Sequence, residues 1–235
     1  MHLPAREASH RPWIRLLCAV AERYPCVVIS GRSRADVARH LDRIPFWHVA
    51  GNHGVEPWGE SEIYASRVRG WTERLGRQMA RHAGVVVEDK TYSLTVHYRN
   101  ARDKSRAIKA INRAVRQLRG ACVLGGSQAV NIIPRGAPDK GVALERARTL
   151  LACETVIYLG DDETDEAAFR VARPDRLLGI RIGPNPRSRA GHWLRSQGDV
   201  DAFLQNLLAM RTMRYKRANP SRPRTSTTCV FRGAP

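Results

Sequence analysis

The run Val156-Ile157-Tyr158-Leu159-Gly160, followed directly by Asp161-Asp162-Glu163-Thr164-Asp165-Glu166, constrains the fold more than any other stretch of this chain. A short apolar run that stops at a glycine reads as a strand buried on both faces, as in parallel sheets covered by helices. Five acids then fall within six positions, in a protein whose formal net charge is +18. Carboxylates crowded in this way repel one another unless a positive charge sits among them. A divalent cation such as Mg²⁺ supplies one, because it takes hard oxygen ligands and keeps waters that a phosphate can replace. Acids also favour the first turn of a helix, where they meet its positive end. That second account suits Asp165 and Glu166 ahead of Ala167-Ala168-Phe169, but not the Asp161-Asp162 pair beside the strand end.

The flanking sequence has the same alternation. Residues 13–21 carry apolar positions at helical spacing, 26–29 form a continuous apolar run, 35–41 return to the helical period, and 47–50 read as another short strand. This pattern predicts an α/β core with a parallel sheet. The middle differs: an arginine-rich helix over 63–82, strands over 85–87 and 93–98, a basic helix over 104–118, and strands over 121–124 and 129–133. Paired strands with helices between them predict an inserted α+β unit. Pro134-Arg135-Gly136-Ala137-Pro138 marks the return to the core, with helix 141–150, strand 155–159, helix 166–171 and strand 178–182. The predicted division is 1–58 and 136–212 as core, 59–135 as insertion, and 213–235 as a disordered tail rich in arginine, proline, serine and threonine.

Bulk properties narrow the function. No apolar run approaches the roughly 20 residues that span a bilayer, and residues 1–7 show no signal-peptide pattern. The five cysteines are scattered, odd in number and without a CxxC pair, which predicts reduced thiols and a cytoplasmic location. Forty lysines and arginines outnumber twenty-two acids. They are spread along the whole length without a recognisable nucleic-acid motif, so the expectation is an anionic small substrate and no specific nucleic-acid or membrane partner.

Open parallel sheets bind ligands beyond the carboxyl ends of their strands, and three segments place suitable groups there. Ser30 follows the strand at 26–29 and can donate to an anion, although a serine there also serves as a plain turn former. Asp139 is a fitting helix cap, which puts Lys140 in the first helical turn. A cation there opposes the helix dipole at a cost of roughly 0.3–1 kcal/mol. It is accounted for if an anion binds beside it, and a solvated lysine tolerating the penalty is the other reading. Asp161 opens the third loop, with Asp165 four residues on, where it can hold a metal-bound water or orient Lys140.

Serine, lysine and a paired-aspartate loop in this order resemble the haloacid dehalogenase superfamily. Val28-Ile29-Ser30-Gly31-Arg32, Gly51-Asn52-His53-Gly54-Val55-Glu56, residues 93–99, Lys140-Gly141 and residues 160–166 together resemble trehalose-6-phosphate phosphatases. The resemblance implies Mg²⁺-dependent transfer of phosphate from a disaccharide phosphate, most of all trehalose 6-phosphate, to an aspartate and then to water. It implies Ser30, Lys140 and Asp161 as catalytic groups, and Asp161, Asp162 and Asp165 as metal residues or their orienters. Ser30, Gly31, Arg32, His53, Glu88, Lys90, Asn131 and Lys140 become candidate substrate contacts, with the insertion as the family's cap.

Two departures stand out. The family's nucleophile lies in an Asp-x-Asp-Gly-Thr motif on a first, central strand, yet the earliest aspartate here is Asp36, already beyond Ser30. The expectation is therefore a haloacid-dehalogenase-like core lacking its first strand and inactive as given, through a late start, a truncated gene, or descent to a non-catalytic sugar-phosphate-binding relative. In the cap, Asn131 stands where the family commonly has glutamate.

Overall fold

A computed structural model of the chain describes residues 12–41, 43–59, 62–126, 128–171, 175–217 and 228–234. In chain order the elements are α1 (Pro12–Ala21), β1 (Cys26–Ser30), α2 (Arg34–Leu41), β2 (His48–Ala50), α3 (Glu62–Met79), β3 (Val86–Asp89), β4 (Leu94–His97), α4 (Lys104–Val115), β5 (Ala121–Gly126) and β6 (Ala129–Pro134). They continue as α5 (Lys140–Leu150), β7 (Thr155–Gly160), α6 (Glu166–Val171), β8 (Leu177–Ile182), β9 (His192–Leu194), α7 (Gly198–Arg217) and β10 (Thr228–Ala234).

Six strands form one sheet in the order β2-β1-β10-β7-β8-β9, with every neighbouring pair parallel. Its two faces follow from the two-residue period of a strand. Ile157 and Leu159 of β7 point into a cluster with Leu17 and Val20 of α1 and Leu204 and Leu207 of α7. Val156 and Tyr158 point the other way, against Leu144 of α5 and Phe169 of α6. Strands covered on both sides read as unbroken apolar runs, which is why 26–29 and 156–159 were legible.

Residues between β2 and α5 build a second, antiparallel sheet in the order β3-β4-β6-β5. One of its faces is apolar: Leu94, Val96, Val130 and Ile132 pack on Val68, Trp71 and Leu75 of α3 and on Ile111 and Val115 of α4. The other face carries Glu88, Thr95 and Asn131, which lie directly opposite one another across β3, β4 and β6. A half-polar sheet of this kind leaves its polar side for something other than its own core. α4 starts at Asp103, whose carboxylate accepts from the Arg106 amide at 2.8 Å.

Two expectations are corrected. The sheet centre holds no open strand position: β10 lies between β1 and β7 and pairs in parallel with both. Residues 213–235 are not simply a tail, since 213–217 continue α7 and 228–234 are β10. The run Thr228-Cys229-Val230-Phe231 has strand-forming side chains, but the basic, proline-rich composition around it hides that signal. Two buried strand edges supply the incentive for pairing, because unpaired backbone groups inside a protein are costly. The cysteine expectation also shifts: Cys18, Cys26 and Cys122 are free, whereas Cys153 is disulfide-bonded. No described helix is long and apolar enough to cross a membrane.

Candidate active site

The parallel arrangement brings the carboxyl ends of β1 and β7 to one edge of the large sheet, with the end of β10 between them. Strand spacing of roughly 4.8 Å puts those two ends about 10 Å apart. Ser30 closes β1 as a buried residue, and its Oγ accepts from the Arg32 amide at 3.0 Å. Asp161 follows the last residue of β7.

Lys140 reaches this edge from the first turn of α5. Its side chain is 1% exposed, and Nζ lies 2.9 Å from Asp165 Oδ1 and 3.5 Å from Asp162 Oδ1. Asp139 caps the helix as the sequence suggests, accepting from the Gly141 and Val142 amides at 2.9 and 3.0 Å. Those amides are thus satisfied by the chain itself, and the countercharge that accounts for a lysine at this helix start is Asp165. Asp165 is fully committed: Oδ1 accepts from Lys140 and, at 2.6 Å, from the Tyr158 hydroxyl, while Oδ2 accepts from the Asp161 and Asp162 amides at 2.9 and 3.0 Å. Asp162 Oδ1 accepts from the Thr164 amide and hydroxyl and from the Asp165 amide. Arg181 of β8 clamps the loop from below, donating to the Asp161 carbonyl at 2.8 Å, the Asp162 carbonyl at 3.1 Å and the Glu166 carboxylate at 3.0 Å.

These contacts divide the acids by electrostatics. Burial alone pushes the Asp162 carboxyl up, but the Lys140 charge and the hydrogen bonds from Thr164 and Asp165 outweigh it and bring it down. Asp161 moves the opposite way: burial raises it, and the neighbouring Asp165 and Asp162 charges raise it further. The Lys140 charge and a hydrogen bond from its own backbone amide offset this only in part, so an added cation would favour its ionised form.

His53 joins the two sides of the site. It sits 3% exposed in a three-residue 3₁₀ turn with a left-handed backbone (φ 60°), and neither ring nitrogen has a partner among the described residues. Burial, then the charges of Lys140 and Lys90, bring its pKa down to about 3, so the ring is neutral at physiological pH. Gly31 has to be glycine here, since a Cβ would meet His53 Cε1 at 2.6 Å. From the insert, Lys90 Nζ reaches the Gly31 carbonyl at 3.4 Å and Glu88 Oε2 at 3.7 Å, and Glu88 holds His97 Nε2 at 2.7 Å. Asn52 fastens the insert to the core, donating to the Lys90 carbonyl at 2.9 Å and accepting from Ser93 Oγ at 2.7 Å. Two lysines, a neutral histidine and a carboxylate pair therefore share the space between the sheet edge and the insert's polar face.

Residues 2–193 match the trehalose-phosphatase family model, well over half of the chain. The chain belongs to the trehalose-phosphatase family. It is 34% identical over 181 residues to a trehalose-phosphate phosphatase of Mycolicibacterium paratuberculosis, covering 71% of this chain and 46% of that protein. It is 36% identical over 214 residues to an uncharacterised glycosyl hydrolase of Mycobacterium tuberculosis, covering 81% of this chain and 16% of that one. The chain thus spans less than half the length of these curated relatives. Among solved structures, the C-terminal domain of the Candida albicans trehalose-6-phosphate phosphatase superposes with a TM-score of 0.68 at 18% identity, covering 89% of this chain and 88% of that one. A trehalose-6-phosphate phosphatase related protein gives 0.64 at 19% identity, covering 93% and 94%. These two show that the haloacid-dehalogenase-like fold is shared.

Within this family member, Lys140, Asp161, Asp162 and Asp165 come together as the sequence suggests, and Gly31, His53 and Lys90 meet beside them. Arg32 sits at the rim, its guanidinium engaged with Asp36 Oδ2 at 2.9 Å. Glu88 and Asn131 lie on the insert's polar face, Asn131 donating to the Gly125 carbonyl at 3.3 Å and accepting from Thr95 Oγ1 at 2.9 Å. Asp165 carries four hydrogen bonds, from Lys140, the Tyr158 hydroxyl and the Asp161 and Asp162 amides, an arrangement that orients Lys140 and the loop. Sequence reasoning missed Arg181, Tyr158 and Asn52. An arginine inside the apolar strand Leu177–Ile182 and a tyrosine in the buried run Val156–Gly160 were signals that could have found the first two.

Proposed function

We propose that this chain binds and hydrolyses a sugar phosphate, with trehalose 6-phosphate as the preferred one. The convergence of Lys140, His53 and Lys90 at the sheet edge, facing the polar side of the insert, carries this reading. A buried neutral imidazole with two unsatisfied nitrogens is costly to maintain, at roughly 1–3 kcal/mol per unpaired group, and an oxyanion that accepts from its N–H between the two lysines relieves part of that cost. In this reading Ser30 and Lys140 hold phosphoryl oxygens, His53 accompanies them as a neutral hydrogen-bonding group, and Lys90 and Glu88 take sugar hydroxyls. Asp165 and Arg181 keep the loop and Lys140 in position. Mg²⁺ fits the site through Asp161 and the remaining oxygen of Asp162, since that ion is held by one or two carboxylates plus waters and phosphate. When bound, it neutralises charge on the transferring phosphoryl group. The reading includes a cytoplasmic location.

One observation favours a second reading, binding without turnover. Family resemblance implies an aspartate that accepts the phosphoryl group, yet β10, the strand between Ser30 and Asp161, runs Thr228-Cys229-Val230-Phe231-Arg232-Gly233-Ala234 and contains no acid. A phosphate-release assay with Mg²⁺ over several disaccharide phosphates, run beside calorimetry, separates the two. The phosphatase reading expects release that Asp161→Asn abolishes. The binding reading expects saturable uptake with no release. Absence of both for every sugar phosphate defeats the proposal as a whole.

A further inference from the structure

We propose that Asn52 is a positioning residue that sets the gap between the phosphate end and the sugar end of the site, by fixing the insert's Lys90 against the core turn that carries His53. This rests on the sugar-phosphate reading above and names what holds its two halves in register. The backbone gives the first observation. Asn52, His53 and Gly54 are left-handed in succession, with φ of 49°, 60° and 107°. Glycine alone adopts that conformation freely. Other residues keep it where their surroundings over-determine it, and they cluster at binding and catalytic sites. Three core segments surround this turn. The Asn52 amide donates to the Arg32 carbonyl at 2.7 Å, in the loop after β1, and a Cβ on Gly31 of that loop would meet the His53 ring. A Cβ on Gly51 would collide with the Arg34 amide at the start of α2. One on Gly54 would collide with the Asp139 carbonyl, directly before Lys140. The turn is thus wedged among segments that carry Ser30 and Lys140.

The insert takes the Asn52 side chain by both ends. Nδ2 donates to the Lys90 carbonyl at 2.9 Å and Oδ1 accepts from Ser93 Oγ at 2.7 Å, with Asn52 and Ser93 fully buried. Residues 90–93 close on themselves, the Lys90 amide donating to the Ser93 carbonyl at 2.9 Å and the Tyr92 amide to the Lys90 carbonyl at 2.8 Å. They therefore move as one piece, and two bonds to a single side chain fix the place where Lys90 leaves the backbone. Lys90 Nζ points back to the core, 3.4 Å from the Gly31 carbonyl. A ligand with its phosphate by Ser30 and Lys140 and its sugar at Lys90 needs that span held to within about 0.5 Å. A phosphate without a sugar does not.

The test is calorimetry on the full chain with Mg²⁺, using trehalose 6-phosphate and inorganic phosphate as probes. Asn52→Gly keeps the left-handed backbone and removes both side-chain bonds. It is expected to weaken trehalose 6-phosphate about tenfold, the equivalent of one hydrogen bond from a charged group, and to leave inorganic phosphate within about twofold. Loss of stability alone would not change the ratio of the two affinities. Ser93→Ala removes one bond of the pair, so it should shift that ratio in the same direction by a smaller factor and add nothing in the double variant. It carries the test by itself if Asn52→Gly does not fold. Equal losses for both probes, an unchanged ratio, or full additivity in the double variant would overturn the proposal. If the parent chain takes up inorganic phosphate but no trehalose 6-phosphate, the sugar-phosphate reading itself fails, and this inference falls with it.

Discussion

Replacing Lys140 with methionine removes one charge from the most buried part of the site while nearly keeping its volume. In the parent, Nζ lies 2.9 Å from Asp165, and both side chains are about 1% exposed. Removing one member of a buried ion pair costs roughly 3–5 kcal/mol, because the other charge is left without compensation. Here Asp165 keeps the Tyr158 hydroxyl and the amides of Asp161 and Asp162, so the loss belongs at the lower end, about 3 kcal/mol. With a urea slope of about 2–3 kcal/mol per molar, the unfolding midpoint should fall by about 1–1.5 M at pH 7. The pH dependence sharpens the test. Without Lys140, burial dominates at Asp162 and its carboxyl is no longer held low. Carboxyls raised above their unfolded values favour the folded state as they take up protons, so the deficit of Lys140→Met should shrink between pH 7 and pH 4. Adding Asp165→Asn should recover part of the loss, since the stranded charge is removed. A deficit under about 1 kcal/mol that is flat with pH and unchanged in the double variant would refute the reasoning.

Two further outcomes follow from the same structure. The pKa of His53 is about 3 when folded, against an ordinary unfolded value near 6.5. The unfolded chain therefore binds the extra proton in this window, and stability should drop by up to about 1.4 kcal/mol per unit as pH falls from about 6.5 to 4.5. His53→Asn, which tolerates the left-handed backbone, should flatten that slope in urea melts taken over the window, and equal slopes would count against the burial of a neutral ring. Deleting residues 228–235 empties the strand position between β1 and β7, where β10 makes five register pairs on each side. With roughly 1–3 kcal/mol per unsatisfied buried backbone group, the loss exceeds the whole stability of a typical domain, about 5–15 kcal/mol. The truncated chain should show no cooperative melt. A melt at the parent's midpoint would mean that β10 contributes nothing to the sheet.

Much of this protein was legible in its residues because the signals are local. Buried strands show as apolar runs, Asp139 as a cap two residues before the first satisfied amide, and the loop after Gly160 as a cluster of acids whose density demands a partner. The identity of that partner was not legible. Lys140 precedes Asp165 by 25 residues and Arg181 follows Asp162 by 19, so only the stacking of α5, β7 and β8 brings them together. The same limit holds for Asp165, which the sequence offers as a metal residue or an orienter: its four donors come from three elements that only the fold assembles.

Sequence alone determined the layered α/β core with an antiparallel insert, and the three strand-end segments that carry Ser30, Lys140 and Asp161, because period and loop chemistry are written in neighbouring residues. Tertiary structure decided what fills the middle of the large sheet, which acids are paired, and that Glu163 lies against Gly125 of the insert. Those outcomes depend on contacts between distant segments, and a strand such as 228–234 exists as a strand only where two open edges are waiting to be paired.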